Sequence, residues 1–370
     1  MLKSNTGNVF HLSYILLLTS FTIRMMSNGI FVTGNISFLL LSSLLILTSF
    51  LIYIKYKKTE YAVLILFIFL TIFLFLQPSI PRASFLVLLF TLYVLRNCNL
   101  KFTVNILLLF SISFIFIVFC LVATGIIENR VIVSEAGRRM YSLGFENPNS
   151  PSLFLGSTLM VAAYAIKLHN KNKSIQIFFI LTASVVVYFI VSVTGTRTLA
   201  MTWAVFCFTT IFRKVFINAL TIKIIRLLPV LILIAFHLMA MNYTNNIVIA
   251  IDDFLTNRII HYAYYLPYFS TIDIIFGNAQ LAAAIAYATY GIQNAYGSML
   301  LSNGAIAFFI FFFLYRKSIN YRFSKKDYTS ISIILFYLIY AITENIFLNI
   351  SFFPDLIFWI LISRVEPISK

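Results

Sequence analysis

The chain alternates between long apolar runs and short polar turns. A helix that crosses a bilayer needs about 20 apolar residues, and about twelve runs approach that length. The pattern therefore predicts an all-α, polytopic membrane protein in which residues 1–370 form a single multi-span domain. We expect transmembrane helices at 9–31, 36–54, 61–77, 83–95, 102–127, 151–168, 174–194, 198–212, 224–241, 295–314, 328–346 and 350–363.

Two polar segments are long enough to fold outside the bilayer. One is 128–150, before the sixth predicted span, and the larger one is 242–294, between the ninth and tenth spans. The aromatic residues of the larger segment indicate helices that lie in the membrane interface, or alternatively a surface that stacks on sugar rings. These aromatic residues are Tyr262, Tyr264, Tyr265, Tyr268 and Phe269.

The composition supports a membrane protein. Hydrophobic residues make up 61% of the 370 residues, charged residues make up 10%, and the mean hydropathy is +0.97. A soluble domain is about 45–50% apolar and about 25% charged, and a disordered chain is less apolar still. Both of those classes are therefore excluded. Cys98, Cys120 and Cys207 form no CxxC motif, so we expect neither a disulfide framework nor a zinc site.

The net charge of +16 follows the positive-inside rule. With the amino terminus in the cytoplasm, every lysine and about half of the arginines fall in cytoplasmic segments, and both termini are cytoplasmic. The positive charge then requires no nucleic-acid partner. The remaining arginines are Arg24, inside the first span, and a set on the outer side: Arg82, Arg130, Arg138, Arg139, Arg197 and Arg258.

An outer surface with arginine but no lysine indicates anion recognition. The planar guanidinium binds phosphate or carboxylate with two parallel hydrogen bonds, whereas the lysine ammonium is a point charge. The alternative is that the outer surface simply carries few cations of any kind.

The first candidate site is the segment 128–150. Arg138 and Arg139 are adjacent, and Glu146, Asn147, Pro148 and Asn149 lead into the sixth span. An Asn-Pro-Asn sequence before an apolar run forms a turn and a helix cap. The amides of that helix terminus, together with the two arginines, would equally form an outward anion site.

The second candidate is the tight turn Thr194–Thr198, which contains Arg197 at the membrane boundary. A turn this short holds the guanidinium in a fixed position, as a substrate clamp requires. The alternative is an arginine that extends to the interface only to avoid the hydrocarbon.

The third candidate lies in the segment 242–294. Arg258 and His261 are three residues apart and share a face of a helix, and His261 is the outward histidine available for proton transfer. Asp252 and Asp253 are a weak indication of a metal site. Glu344 interrupts an apolar run, which indicates either function or an ion pair with an outward arginine.

Several short motifs occur in an order typical of one enzyme family. They are Gly-Phe-x-Asn-Pro-Asn at 144–149, Gly-Thr-Arg at 195–197, Asn-Arg at 257–258, Ile-Phe-Gly at 275–277, Gln-Asn-Ala-Tyr at 293–296 and Glu-Asn at 344–345. Over residues 130–350 this series resembles the Wzy-type polymerases of O-antigen and capsular polysaccharide, which are relatives of the O-antigen ligases.

The resemblance implies a membrane glycosyltransferase with a GT-C-like, multi-span fold. Such an enzyme needs no metal and no cofactor, and it acts on the outer face of the bacterial plasma (inner) membrane. It transfers a growing glycan from undecaprenyl pyrophosphate to a newly flipped, lipid-linked oligosaccharide repeat unit. A flippase and a chain-length regulator are the expected protein partners.

The chemistry of such a transfer suggests roles for individual residues. We expect Arg197 and Arg258, with Arg138 or Arg139, to converge on the pyrophosphate. His261 is the preferred base, with Glu146 and Glu344 as alternatives. We expect Asn147, Asn149 and Asn294 to contact substrate. Gln293 stands where many relatives have Asp or His, so no base is assigned there, and Thr196 replaces a serine that is frequent in the family.

Two other activities fit the same topology. A flippase for lipid-linked oligosaccharides would place its charges along a central cavity, whereas here most charges fall at the two membrane surfaces. An O-antigen ligase is the second alternative. A membrane acyltransferase that modifies sugars fits less well, because it would need a cytoplasmic acyl donor and no cytoplasmic His-Asp or His-x-x-x-Asp motif occurs. The length of the displayed glycan separates a polymerase from a flippase, because loss of a polymerase leaves single repeat units and loss of a flippase leaves none.

Overall fold

The computed structural model describes residues 4–29, 82–133, 137, 139–170, 172–213, 216, 218–288, 291–347 and 352–364. The predicted spans at 36–54 and 61–77, and the side chain of Arg138, lie outside the described residues. The first helices are α1 (Ser4–Gly29), α2 (Arg82–Asn97), α3 (Leu100–Ala123), α4 (Asn149–His169), α5 (Lys173–Thr194), α6 (Arg197–Ile211) and α7 (Ala219–Met241).

Short helices follow α7 in the segment predicted to lie outside the bilayer. They are α8 (Asn246–Phe254), α9 (Arg258–Tyr265), a 3-10 turn (Leu266–Tyr268), α10 (Thr271–Phe276) and α11 (Ala279–Ala288). The chain then continues through α12 (Ala295–Ser298), a π-helical turn (Met299–Asn303), α13 (Gly304–Ser324), α14 (Tyr328–Thr343), a 3-10 turn (Phe353–Asp355) and α15 (Leu356–Ser363).

Long apolar helices confirm the prediction of a helical membrane protein. In the described part of the chain, five helical stretches are long and apolar enough to cross a bilayer: Leu100–Ala123, Asn149–His169, Lys173–Thr194, Ala219–Met241 and Ala295–Ser324. Each coincides with a predicted span. The count of twelve spans stays a prediction.

One short hairpin accompanies the helices of this all-α fold. Within 128–150, strand β1 (Val131–Val133) pairs antiparallel with strand β2 (Arg139–Tyr141), and Val131 faces Tyr141. Consecutive β-branched residues favour extended backbone. Gly137 adopts φ +73° in the connecting turn, a conformation that glycine adopts without strain.

Two compact units make up the chain. Unit 1 contains the described residues within Met1–Pro78, Leu86–Cys207 and Ile350–Ile360. In its core α4 packs between α3 and α5, and the ring of Phe154 contacts those of Phe114 and Phe353 at 4.9 and 5.3 Å between centroids.

Unit 2 contains the described residues within Ser79–Phe85, Phe208–Asn349 and Leu361–Lys370. Its short helices are not separate from the apolar ones, because α9 packs on α7 and α10 packs on α13. The start of α13 and the end of α10 meet at Gly277 and Gly304, where an added Cβ would lie about 2.4–2.5 Å from backbone atoms. This contact fixes the 242–294 segment on the spans of unit 2.

Candidate functional site

Helix α9 carries two of the predicted catalytic residues, and Asp252 fixes where it begins. The two carboxylate oxygens of Asp252 accept hydrogen bonds from the backbone amides of Ile259 and Ile260, at 2.6 and 3.0 Å. Thr256 and Asn257 adopt positive φ angles that turn the chain into the helix. Asp252 is fully buried, and its two bonds to the first free amides of α9 make it a cap for the start of this helix.

The buried face of α9 contains Arg258 and, one turn later, Tyr262. A guanidinium Nη2 of Arg258 donates to Oε1 of Glu344 at 3.2 Å, and the two side chains are 9% and 21% exposed. Burial lowers the pKa of Arg258, while Glu344 and Asp252 act to raise it. The ion pair that sequence analysis left as the alternative for Glu344 is therefore present, and two carboxylates already balance the charge of Arg258.

The start of α12 packs against Tyr262. The side-chain oxygen of Asn294 accepts a hydrogen bond from the amide of Gly297 at 2.5 Å, so Asn294 caps this helix. A Cβ on Gly297 would lie 2.7 Å from the Tyr262 ring and 2.8 Å from the Asn294 side-chain oxygen. Only glycine allows the three residues to pack this closely.

The next residue of α12 connects to the Glu344–Asn345 motif. The side-chain amide of Asn345 donates to Oγ of Ser298 at 2.8 Å. Hydrogen bonds connect Arg258 with Glu344 and Asn345 with Ser298, and Tyr262 and Asn294 both pack against Gly297. We call the six residues that these contacts and their chain neighbours connect the polar ring: Arg258, Glu344, Asn345, Ser298, Asn294 and Tyr262.

The polar ring contains buried polar atoms without partners. Among the described residues, no hydrogen-bond partner is found for Nε of Arg258, the hydroxyl of Tyr262 or Nδ2 of Asn294. Oε1 of the neighbouring Gln293 also lacks a partner among these residues. Tyr262 and Asn294 are fully buried. Buried polar groups are nearly always hydrogen-bonded, so a group of such atoms in connected residues requires an explanation.

Two histidines lie beside the polar ring. His261 is half-buried, and its pKa is lowered mainly by burial and secondly by Arg258, while Asp252 raises it. The ring of His237, on α7, lies 6.3 Å from that of Tyr262. An ionisable residue inside an apolar span was the signal that could have identified it.

The aromatic residues of the 242–294 segment divide into two sets. Tyr262, Tyr265 and Phe269 are buried in the core of unit 2, together with Phe236 of α7. Tyr264 and Tyr268 are 47% and 52% exposed. An interfacial or sugar-stacking role is therefore open to the exposed pair and not to the buried residues.

In unit 1, a cluster of buried hydroxyl groups fixes the turn that carries Arg197. The hydroxyl of Ser152 lies 2.7 Å from that of Thr194 and 2.9 Å from that of Thr196, and we call these three residues the hydroxyl cluster. Gly195 ends α5 at φ 75°. Arg197 follows at once, is exposed, and makes no ion pair with a described residue. The predicted rigid turn is therefore present.

The other predicted site residues of unit 1 that the structure describes belong to the segment 128–150 and the start of α4. Arg139 is exposed on β2, a strand that contacts α5, and Glu146 is exposed. The side-chain oxygen of Asn147 accepts from the amides of Asn149 and Ser150 at 3.0 Å each. Asn147 therefore caps α4, which is the structural role predicted for it; the alternative role in an anion site stays a prediction.

The predicted site residues fall in both units. Arg258, His261, Asn294 and Glu344 come together in unit 2, and their convergence with the arginines of unit 1 stays a prediction. Comparison of the chain with protein-family models, with curated proteins and with solved structures finds no match.

Proposed function

We propose that this protein polymerises lipid-linked oligosaccharide repeat units on the outer face of the bacterial plasma membrane, as the Wzy-type polymerases do. The support is the order of sequence motifs together with one structural observation. Arg197 is exposed, makes no ion pair with a described residue, and lies on a turn held by the buried hydroxyl cluster. A fixed cation of this kind suits a pyrophosphate leaving group.

In the proposed reaction, a hydroxyl oxygen of the newly flipped repeat unit attacks the anomeric carbon of the growing glycan. The bond from that carbon to the undecaprenyl pyrophosphate breaks, and the lipid pyrophosphate leaves with the electron pair. Arg197, with Arg139 or Arg138, stabilises the charge that develops on the leaving oxygens. The acceptor proton passes to His261, because a neutral imidazole accepts a proton near pH 7.

The proposal includes a topology and partners. Twelve spans with both termini in the cytoplasm place 128–150 and 242–294 on the outer face, where flipped repeat units arrive. A flippase supplies the acceptor, and a chain-length regulator sets how many transfers occur.

Deletion of the gene tests the proposed function in cells. We expect surface glycan that consists of single repeat units, and complementation should restore the ladder of longer chains. Complete loss of surface glycan would indicate a flippase instead. An unchanged ladder would contradict both activities.

A further inference from the structure

We propose that the polar ring of unit 2 binds an uncharged part of a saccharide through its hydroxyl groups, and does not bind the pyrophosphate. The inference deepens the proposed function and rests on it for the identity of the natural ligand. The binding itself is argued from the buried groups of unit 2 alone.

The first argument is the number of buried donors that lack partners. Nε of Arg258, the hydroxyl of Tyr262 and Nδ2 of Asn294 all lack a partner among the described residues. Each unsatisfied buried group costs about 1–3 kcal/mol of stability. A ligand whose oxygen atoms accept hydrogen bonds from all three donors would explain why they remain unsatisfied in neighbouring residues.

The second argument concerns charge. An anion needs an uncompensated cation, yet the guanidinium of Arg258 contacts Glu344 at 3.2 Å, and Asp252 lies close enough to act on it. A pyrophosphate placed here would face two carboxylates for one arginine. Sugar hydroxyl groups both donate and accept, so they match the free donors of Arg258, Tyr262 and Asn294 and the free acceptor of Gln293 without added charge.

The third argument is the close packing that aligns these groups. Gly297 leaves no room for a side chain between Tyr262 and Asn294. The capping bond from the amide of Gly297 holds the oxygen of Asn294 and leaves its nitrogen free. Groups fixed in this way bind a ligand with little loss of conformational entropy.

Two tyrosine variants separate a binding role from a structural role. The Tyr262 hydroxyl has no hydrogen-bond partner in the described part of the chain, whereas the Tyr296 hydroxyl, two residues from Asn294, donates to the carbonyl of Leu338 at 2.7 Å. Tyr262→Phe removes no internal hydrogen bond and should not lower the melting temperature. Tyr296→Phe removes one and should lower it, so it is the matched control.

The binding test uses the full-length protein in lipid nanodiscs. Saturation-transfer NMR titrations measure the affinity of a set of neutral di- and trisaccharides and of inorganic pyrophosphate. We expect at least one saccharide to bind, with a Kd about tenfold higher in Tyr262→Phe and unchanged in Tyr296→Phe and Arg197→Gln. Pyrophosphate should not displace it, and Arg197→Gln should weaken pyrophosphate binding.

Three results would overturn the inference: no saccharide binding by the wild type, equal saccharide affinity in Tyr262→Phe, or displacement of the saccharide by pyrophosphate. The glycan ladder of the deletion strain reports the proposed function separately. Saccharide binding that needs Tyr262 together with an unchanged ladder would leave the binding site standing and refute polymerisation.

Discussion

Arg258 and Glu344 illustrate the energetics of a buried ion pair. The pair is largely removed from water, with side chains 9% and 21% exposed. Desolvation offsets much of the attraction between such charges, yet removal of one partner leaves the other buried and uncompensated. The pair therefore specifies how α9 is placed against the end of α14, rather than adding a large net stability.

Arg258→Gln should lower the free energy of unfolding by about 3 kcal/mol, because Glu344 would keep its charge without a counterion. Glu344→Gln should also destabilise the protein. The double variant should be more stable than Arg258→Gln, because no isolated charge remains. Thermal unfolding of the purified proteins measures all three. Additive losses in the double variant would show that the two side chains are not coupled.

The activity of His261 as a base predicts a pH dependence. Burial and Arg258 place its pKa below the ordinary value of 6.5, so the imidazole stays neutral and able to accept a proton to lower pH than a free histidine. The polymerisation rate should therefore decrease only below pH 6.5. The same shift makes the unfolded chain bind the proton more readily, so stability should also decrease as the pH falls below 6.5. The rate–pH profile of the purified protein measures the decrease in polymerisation rate at low pH. If the same decrease occurred in His261→Gln, protonation of His261 could not be its cause.

At the level of elements, short contacts between helix ends hold the site regions in place. The hydroxyl cluster joins the start of α4 to the turn between α5 and α6, and two glycines join α10 to α13. Side-chain caps fix several helix starts, among them Asn99 for α3 and Asn172 for α5.

The hydroxyl cluster should be required for the function of Arg197. Thr196→Val keeps the shape of the side chain and removes both the hydrogen bond that Thr196 accepts from Ser152 and the one that it donates to the carbonyl of Pro148. We expect shorter glycan and lower in vitro activity at normal expression, because the guanidinium is no longer held in one position. Thr196→Ser keeps the hydroxyl and should behave as the wild type. Equal activity of the two variants would show that the cluster does not position Arg197.

The contact between Gly277 and Gly304 should make both positions intolerant of alanine. Gly304→Ala introduces a methyl group about 2.5 Å from backbone atoms at a φ of +89°, and we expect a loss of roughly 2–4 kcal/mol from strain and overpacking. Gly125→Ala is the control, because its φ of +73° is similar and nothing lies within 4 Å of the added Cβ. Similar melting temperatures for the two variants would argue against the close contact.

The apolar pattern of the sequence predicted the bounds of the helices better than it predicted which residues contact one another. The predicted span 174–194 matches Lys173–Thr194, and 151–168 matches Asn149–His169, because hydropathy reports the bilayer directly. The hairpin at Val131–Val133 depends on pairing across a turn, which hydropathy does not report. The burial of Tyr262 and the pairing of Arg258 depend on α7, α12 and the Glu344 segment, which are far away in the chain.

At the level of the whole molecule, the charge pattern and the helices agree on a membrane protein, and the orientation is open to direct test. Ala250 in α8 and Asn320 in α13 are both exposed, so each can be replaced by a cysteine that a reagent can reach. With the native cysteines changed to serine, an impermeant maleimide added to intact cells should label position 250 and not position 320. Labelling of position 320 would reverse the topology and every assignment to the outer face.

Polymerisation by the purified protein tests the central claim most directly. Wild-type protein in nanodiscs, supplied with synthetic undecaprenyl-pyrophosphate repeat units and a chelator of divalent cations, should produce a ladder of longer glycans and release undecaprenyl pyrophosphate. Arg197→Ala should produce at most about a hundredth of that product, because one transition-state contact to a developing charge is typically worth that much. Single repeat units alone in the wild-type reaction, or an equal ladder with Arg197→Ala, would contradict the account.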